Sequence, residues 1–184
     1  MRIIAGKWRG RVLRAPLGET TRPTADRTRE ALFSILASRI GSFEGLVVAD
    51  IFAGTGALGL EAISRGAAHC TFVDQDRDAV KALKANIAML AAPGDVIASP
   101  VASLGPSRRA YDLLMFDPPY GSGGAGALIE RLTRLGWAGA AAWATVETHK
   151  QEQVTAEGWV LEAERTYGLA KLSVLARRQA AQSD

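Results

Sequence analysis

The sequence predicts an α/β fold: a doubly wound, seven-stranded, mostly parallel sheet with a small basic β-hairpin at its N-terminus. From Leu46 onward, apolar strand-like runs alternate with helical stretches, a pattern typical of parallel strands joined by right-handed crossovers. The last two strand-like runs follow each other without a helix, so one of them should be antiparallel. Short β-like runs around Gly6 and Gly10 indicate the hairpin.

Each predicted element follows from its local pattern. The hairpin covers residues 2–15, and a loop follows it to Pro23. Thr24 is the expected N-cap of a helix at 24–37, whose apolar residues recur on one face. Further strands are expected at 46–52, 69–74, 95–99, 111–117 and 141–148, with closing strands near 159–162 and 167–176, helices at 57–66, 77–90 and 126–135, and a frayed end at 177–184.

Composition narrows the class of protein. The 184 residues are 48% hydrophobic, which is enough to bury a core. The single cysteine, Cys70, excludes disulfides and multi-thiolate metal sites, and His69 and His149 have no ligand partners at metal spacing, so no metal is expected. The sequence shows no apolar leader and no run long enough to span a membrane, so we expect a soluble, cytoplasmic protein.

The positive charge is concentrated at the N-terminus. Residues 1–29 carry a net charge of +6, whereas the rest of the chain carries −3. A basic arm on a mildly acidic body suggests a polyanionic partner that the arm contacts. A solvated surface hairpin would explain the same charges, and charge alone does not decide between the two.

The loop after the first strand carries a glycine pattern. Gly54, Gly56 and Gly59 match G-x-G-x-x-G within the stretch DIFAGTGALG. Such glycines let the backbone turn sharply and approach a ligand in front of a helix N-terminus. The pattern alone serves dinucleotides and other adenosine-bearing cofactors alike, and it also fits a plain strand–helix turn.

Two aspartates favour one cofactor. Asp50 directly precedes the loop, where its charge would repel a pyrophosphate but suit a cationic ligand such as a sulfonium with an α-amino group. Asp74 ends the second strand, where a carboxylate can accept both ribose hydroxyls of an adenosine cofactor. Asp76 falls at a helix start and is expected to serve as a cap. S-adenosylmethionine satisfies all of these conditions.

The fourth strand ends in FDPPYG, Phe116 to Gly121, which suits methylation of an exocyclic amine. The carboxylate of Asp117 and the carbonyl of Pro118 can accept hydrogen bonds from an NH₂ group and stabilise the charge that develops on nitrogen. Pro118 and Pro119 restrict the backbone, and Tyr120 offers a ring on which a flipped-out base can stack. In a doubly wound sheet this strand end is expected beside the methyl group.

These motifs resemble a known family. DIFAGTGALGLEA, FVD and FDPPYG, in this order, are similar to the motifs of class I S-adenosylmethionine-dependent amino-methyltransferases, which have a Rossmann-like fold. RIIAGKWRGRVL and RPTADRTREALFSIL narrow the resemblance to bacterial 16S ribosomal RNA guanine-N2 methyltransferases. It covers residues 2–178 and implies an RNA-binding arm at 1–23, a methyltransferase domain at 24–178 and a tail at 179–184.

The resemblance also implies roles for individual residues. Asp117, Pro118, Pro119 and Tyr120 would handle the target base. The cofactor would be bound by Thr24, Arg27, Asp50, Phe52, Gly54, Thr55, Gly56, Asp74, Ser99 and Val101. RNA would be bound by Lys7, Trp8, Arg9, Arg11 and Arg22. The expected partner is 16S rRNA in the small subunit, with bound ribosomal proteins near the interface, and the enzyme is expected to act as a monomer.

This chain departs from the family pattern at the position expected to contact the adenine of the cofactor. Many relatives have Asp or Asn after the third strand, whereas this chain has Pro100 in the run ASPV, which shifts adenine contacts to Ser99 or the backbone around Val101 and Ala102.

Three alternative functions stay open. An adenine-N6 methyltransferase could use the same tetrad, a nicotinamide-dependent oxidoreductase shares the glycines, and a non-catalytic RNA-binding assembly factor could keep the pocket.

Overall fold

The computed structural model describes residues 1–16, 23–119 and 124–178. Its helices are α1 (Pro23–Ile40), α2 (Ala57–Ser64), α3 (Arg77–Leu90) and α4 (Ala125–Arg134). Its strands are β1 (Val47–Ile51), β2 (His69–Asp74), β3 (Gly94–Ala98), β4 (Tyr111–Phe116), β5 (Ala138–His149), β6 (Trp159–Tyr167) and β7 (Ala170–Arg177). The order in the sheet is β3-β2-β1-β4-β5-β7-β6.

The chain divides into two compact units, and the first covers Met1–Leu104. In this unit β1 pairs in parallel with β2, and β2 pairs in parallel with β3. The strands are apolar because helices cover them: Val48 and Ile51 of β1, Leu60 and Ile63 of α2 and Phe72 of β2 are all fully buried. Parallel pairing places the carboxyl ends of the three strands at one edge of the unit.

The second unit covers Gly105–Asp184. Here β4 pairs in parallel with β5, whereas β7 is antiparallel to both β5 and β6. The prediction that one closing strand is antiparallel is therefore confirmed, and that strand is β7. Trp137 stacks on Tyr111 with 5.3 Å between ring centroids, and the indole of Trp159 donates to Thr133, so both tryptophans pack in the core.

The structure corrects several predicted elements, among them β5, which begins at Ala138 rather than at residue 141, and α1, which ends at Ile40 rather than at residue 37. The N-terminal segment has no regular strands, only the single antiparallel bridge between Arg2 and Val12. Helix α1 begins at Pro23, so Thr24 lies inside the helix and is not its N-cap. Tyr167 ends β6 and does not start the last strand. The predicted frayed end begins too early, because Arg177 belongs to β7 and the Arg178 N–H donates to the Gly158 carbonyl.

The structure shows the surroundings of Cys70 and of His69. Cys70 is fully buried, and burial, followed by the nearby charge of Asp50, raises the pKa of its thiol well above the usual value. A thiol held protonated in this way is a core group. His69 does have a carboxylate neighbour, Asp95, at 3.1 Å.

Within the described ranges, no cluster of three or more His, Cys, Asp or Glu could hold a metal, and no helix is long and apolar enough to cross a membrane.

Candidate active site

Asp50 organises the start of α2. Its buried side chain accepts a hydrogen bond from the Gly59 N–H at 2.8 Å, so it stabilises the first turn of the helix. Gly59 is required for packing, because a Cβ at this position would lie 2.3 Å from the Phe72 ring and 2.5 Å from the Cys70 sulfur. The third glycine of the motif therefore allows helix α2 to pack closely against strand β2. Sequence reasoning assigned Asp50 to the ligand and missed this second task.

The glycine loop is tied to the end of β2 through Asp74. One carboxylate oxygen of Asp74 accepts from the Gly54 N–H at 2.7 Å, and the other accepts from the Asp76 N–H at 2.8 Å. Asp74 is half-buried and keeps acceptor capacity, since a carboxylate has about four lone-pair sites. Asp76 accepts from the Ala79 N–H as the N-cap of α3, which agrees with the cap expected for it.

The remaining loop residues lie between β1 and α2. Phe52 is half-buried and has a positive φ of 65°, and the Gly56 N–H donates to the Ala53 carbonyl at 2.7 Å. Thr55 is buried, and its hydroxyl contacts the Met1 sulfur at 3.6 Å. The loop is thus built with a sharp turn that packs against the start of the chain.

A buried asparagine joins this loop to the N-terminal segment. The amide of Asn86, on α3, donates to the carbonyls of Thr55 and Arg14 at 3.0 Å each, and its oxygen accepts from the Arg14 N–H at 2.8 Å. Asn86 is fully buried, so these bonds replace its lost hydration. Sequence reasoning missed it, although a polar residue at an apolar position of an amphipathic helix was the available signal.

The end of β3 completes this edge of the first unit. The Ser99 N–H donates to the Asp74 carbonyl at 3.0 Å, so the ends of β2 and β3 are held together. Ser99 is half-exposed, and Val101 is buried at the start of a short 3-10 helix, Val101–Ser103. Asp50, the glycine loop, Asp74, Ser99 and Val101 therefore line the carboxyl ends of three neighbouring parallel strands, where α/β sheets bind ligands.

The N-terminal segment is docked on α2. Glu61, fully buried, accepts from the N–H groups of Ile4 and Ala5 at 2.8 and 3.0 Å. The carbonyl and hydroxyl of Ser64 accept from the N–H groups of Lys7 and Trp8. Gly6 is needed for this approach, because a Cβ there would lie 1.8 Å from the Ser64 carbonyl oxygen. The buried Glu61 in the apolar run LGLEAIS was the sequence signal for this docking.

The basic side chains of this segment point outward. Arg9 and Arg11 are exposed, and the Lys7 ammonium lies 4.4 Å from the centroid of the half-buried Trp8 ring. Arg27, predicted to contact the cofactor, is exposed on α1 and lines a cavity together with Arg9. Thr24 lies in α1, with its side chain outside the described part of the chain, and Arg22 lies outside the described residues altogether.

The acid–proline turn belongs to the second unit. Asp117 directly follows β4, and its side chain is exposed, as is that of Pro119, whereas Pro118 is half-buried. The surrounding protein displaces water, and the carboxylate of Glu147 on β5 adds repulsion, so that the pKa of Asp117 is raised to about 7. The exposed face of Asp117 still meets water, which screens part of this effect. Tyr120 lies outside the described residues.

Comparison with solved structures defines the class of protein. The structure named "Putative methyltransferase yhhF", from Escherichia coli, superposes with a TM-score of 0.86 at 35% identity and covers 98% of this chain and 99% of that one. The sheet order, the glycine loop after β1 and the acid at the end of β2 fit the same class. The chain has the fold of the class I methyltransferases, and S-adenosylmethionine, the predicted cofactor, is the cofactor of that class.

The family is then clear from the sequence matches. The model of the family described as "Conserved hypothetical protein 95" matches residues 1–176, so the chain belongs to this family. "Ribosomal RNA small subunit methyltransferase D" of Escherichia coli K12 is 35% identical over 188 residues, covering 100% of this chain and 93% of the relative. The protein of the same name from Haemophilus influenzae is 36% identical and covers 92% and 90%, respectively. The predicted resemblance is confirmed.

Proposed function

We propose that this protein transfers a methyl group from S-adenosylmethionine to the exocyclic N2 amine of one guanine in the 16S rRNA of the small ribosomal subunit. Relatives named as small-subunit rRNA methyltransferases support the RNA substrate. The observation that carries the proposal is the turn after β4, where the exposed carboxylate of Asp117 precedes two prolines. An exposed acceptor on a stiff turn is available to a ligand amine.

The first unit fits the cofactor. A Cβ added at Gly54 would meet no atom within 4 Å, so there is open space beside the loop. Asp74 retains acceptor capacity for the ribose hydroxyls, and Ser99 and Val101 lie at the end of the next strand for the adenine. Asp50, buried behind the loop, supplies negative charge toward the cationic amino-acid end. When bound, the cofactor supplies an electrophilic methyl group.

Asp117 and Pro118 act on the amine in this proposal. Their oxygens accept hydrogen bonds from the NH₂ group, which draws the nitrogen lone pair out of conjugation with the ring and stabilises the positive charge that develops. Once the nitrogen has accepted the methyl group that the bound cofactor would supply, its extra proton would leave for water. Because the prolines hold the turn, little orientational freedom is lost.

The other predicted roles complete the proposal. Tyr120 stacks on the flipped-out base, a contact worth about 1–3 kcal/mol in comparable sites. Lys7, Trp8, Arg9, Arg11 and Arg22 contact RNA, in an assembled or partly assembled subunit that carries ribosomal proteins, and the enzyme works as a monomer. The docking of the segment on α2 supports this role for its exposed side chains, because a fixed basic surface can position RNA.

A methyl-transfer assay tests the proposal. Small subunits from a strain lacking this gene are incubated with labelled S-adenosylmethionine and the protein, and the rRNA is digested to nucleosides. One labelled N2-methylguanosine is the expected product. N6-methyladenosine would replace the guanine assignment with the adenine alternative. Cofactor binding without transfer would favour an assembly factor and would contradict the catalytic role of Asp117.

A further inference from the structure

A cavity of about 310 Å³ lies between the N-terminal segment and helix α1. Its volume is within the range of small-ligand pockets, roughly 300–1,000 Å³. Among the described residues, two stretches of the chain line it, residues 2–10 on one wall and residues 26–30 on the other. Of the residues predicted to bind the cofactor, only Arg27 belongs to its described lining; no residue of the glycine loop or of the β2 and β3 ends does.

The cavity is electropositive. Three exposed arginines, Arg2, Arg9 and Arg27, are among its lining residues. Within the described part of the chain, no ion pair joins any of these three to a carboxylate. Two acids also line it, and Asp26 is already paired with the buried Arg29 at 3.0 Å. Glu30 is therefore the remaining acid against three cations.

Arg29 and Glu61 hold the two walls of the cavity in place. The Arg29 guanidinium donates to the Arg2 carbonyl on one wall and to Asp26 on the other, and it lies 4.0 Å from Glu61. Glu61 in turn accepts from the N–H groups of Ile4 and Ala5. Such fixed walls mean that little backbone freedom is lost around the cavity when an anion binds.

We infer that this cavity is a subsite for one backbone phosphate of the RNA substrate, bound jointly by Arg2, Arg9 and Arg27. Guanidinium groups bind phosphate oxygens in bidentate geometry, and three of them around one cavity suit a single anion. The inference rests on the proposed function, deepens it by naming the group recognised, and moves Arg27 from the cofactor to the RNA. Arg2 becomes an RNA-binding residue that the sequence had not indicated.

The salt dependence of RNA binding tests the subsite. The slope of log Kobs against log salt concentration falls by about 0.7–0.9 for each phosphate that the protein no longer neutralises. Small-subunit rRNA transcribed in vitro is the probe, with Arg9→Gln, Arg27→Gln and the double variant compared with wild type. Arg108→Gln, an exposed arginine of the second unit, is the control with the same charge change. Because all of these side chains are exposed, the variants should fold, and thermal melting checks this.

One phosphate shared by several arginines gives a non-additive result. Each single variant should lower the slope by no more than about 0.7–0.9, the double variant should lower it by about 0.7–0.9 in total, and the control should leave it unchanged. A double variant whose slope falls by about twice as much would place the arginines on separate phosphates and overturn the shared subsite. Unchanged slopes would remove the cavity from the RNA interface.

Cofactor calorimetry separates this inference from the alternatives. Arg27→Gln should leave the Kd for S-adenosylmethionine within about two-fold of wild type. A weakened cofactor Kd with an unchanged salt slope would assign Arg27 to the cofactor carboxylate and overturn the inference. If the wild-type protein methylates rRNA but the slopes do not change, the subsite alone fails. If the slopes change but no methyl group is transferred, the proposed function alone fails.

Discussion

Asp74 and Asp117 both stand at the carboxyl end of a buried parallel strand, yet their surroundings suit different tasks. Both oxygens of Asp74 accept backbone N–H groups, so this side chain is fixed and fixes the glycine loop in return. Asp117 is exposed, and its ionised form is disfavoured by displaced water and by Glu147. This difference fits the roles proposed for them, in which Asp74 binds the cofactor and Asp117 responds to the target amine.

The largest effect should come from Asp117→Asn. The substitution keeps the shape of the side chain but removes its negative charge and one acceptor oxygen. Because that charge stabilises the amine only as the positive charge develops, kcat for methyl transfer should fall by about 10²–10³-fold. The cofactor Kd, measured by calorimetry, should remain within about two-fold. Wild-type kcat in this variant would show that the turn has no part in the reaction.

Glu157→Gln is the matched control for this loss. It also removes a carboxylate from an exposed side chain of the second unit. Its kcat should equal that of wild type. An equal loss of kcat in both variants would indicate a general effect of charge on RNA binding rather than a specific role of Asp117.

Asp74→Asn should have the next largest effect, and it should change the cofactor Kd rather than kcat. Hydrogen bonds to charged groups contribute about 1.5–3 kcal/mol, so the cofactor Kd should rise by roughly 10- to 150-fold. At saturating cofactor, kcat should change little, since this carboxylate is assigned to binding. The comparison of the two aspartates therefore predicts that one variant loses kcat and the other loses affinity.

Asp76→Asn provides the control for Asp74. Asp76 is the N-cap of α3, and Asn is an equally good cap, so both cofactor Kd and thermal stability should be retained. A loss of cofactor affinity as large as that of Asp74→Asn would contradict the assignment of the ribose to Asp74. It would indicate that the negative charge of this loop matters more than the position of either carboxylate.

The sequence predicted the strand ends better than the contacts made by their side chains. Alternating apolar and amphipathic runs placed the carboxyl ends of β1, β2 and β3 correctly, because period and burial are local signals. The task of Asp50 at the start of α2 was not predicted. It depends on the Gly59 amide, nine residues away, which only the folded turn brings within 2.8 Å.

The N-terminal segment shows where local patterns mislead. Its β-like runs predicted a regular hairpin, but the structure holds the segment mainly through Glu61 and Ser64 of α2 and Asn86 of α3. These partners lie 56 to 72 residues away in sequence, so no local pattern specifies them. A charged or amide side chain in an apolar helical run indicates that it binds backbone groups from a part of the chain that is distant in sequence.

The smallest expected effect concerns Glu147 and the pH dependence of Asp117. Glu147→Gln removes a negative neighbour, so the Asp117 carboxyl should ionise more easily and its pKa should fall from about 7. Carbon-detected NMR of the carboxyl groups measures this midpoint directly. The acidic limb of the kcat/KM profile should move to lower pH by the same amount, because the proposed acceptor must be ionised. Glu157→Gln, as before, should leave the midpoint unchanged.

The free energy of unfolding should fall as the pH rises, because the pKa of Asp117 is higher in the folded chain than its ordinary value. The folded pKa of Asp117, about 7, lies above its ordinary value of 3.8, so folding favours the protonated form. The contribution of this group to the free energy of unfolding is therefore lost as the pH rises from about 4 to about 7. Asp117→Asn should remove that loss, and Glu147→Gln should reduce it. If denaturant unfolding shows the same pH dependence in all three proteins, the carboxyl titrates as an ordinary surface group, and the contrast with Asp74 fails.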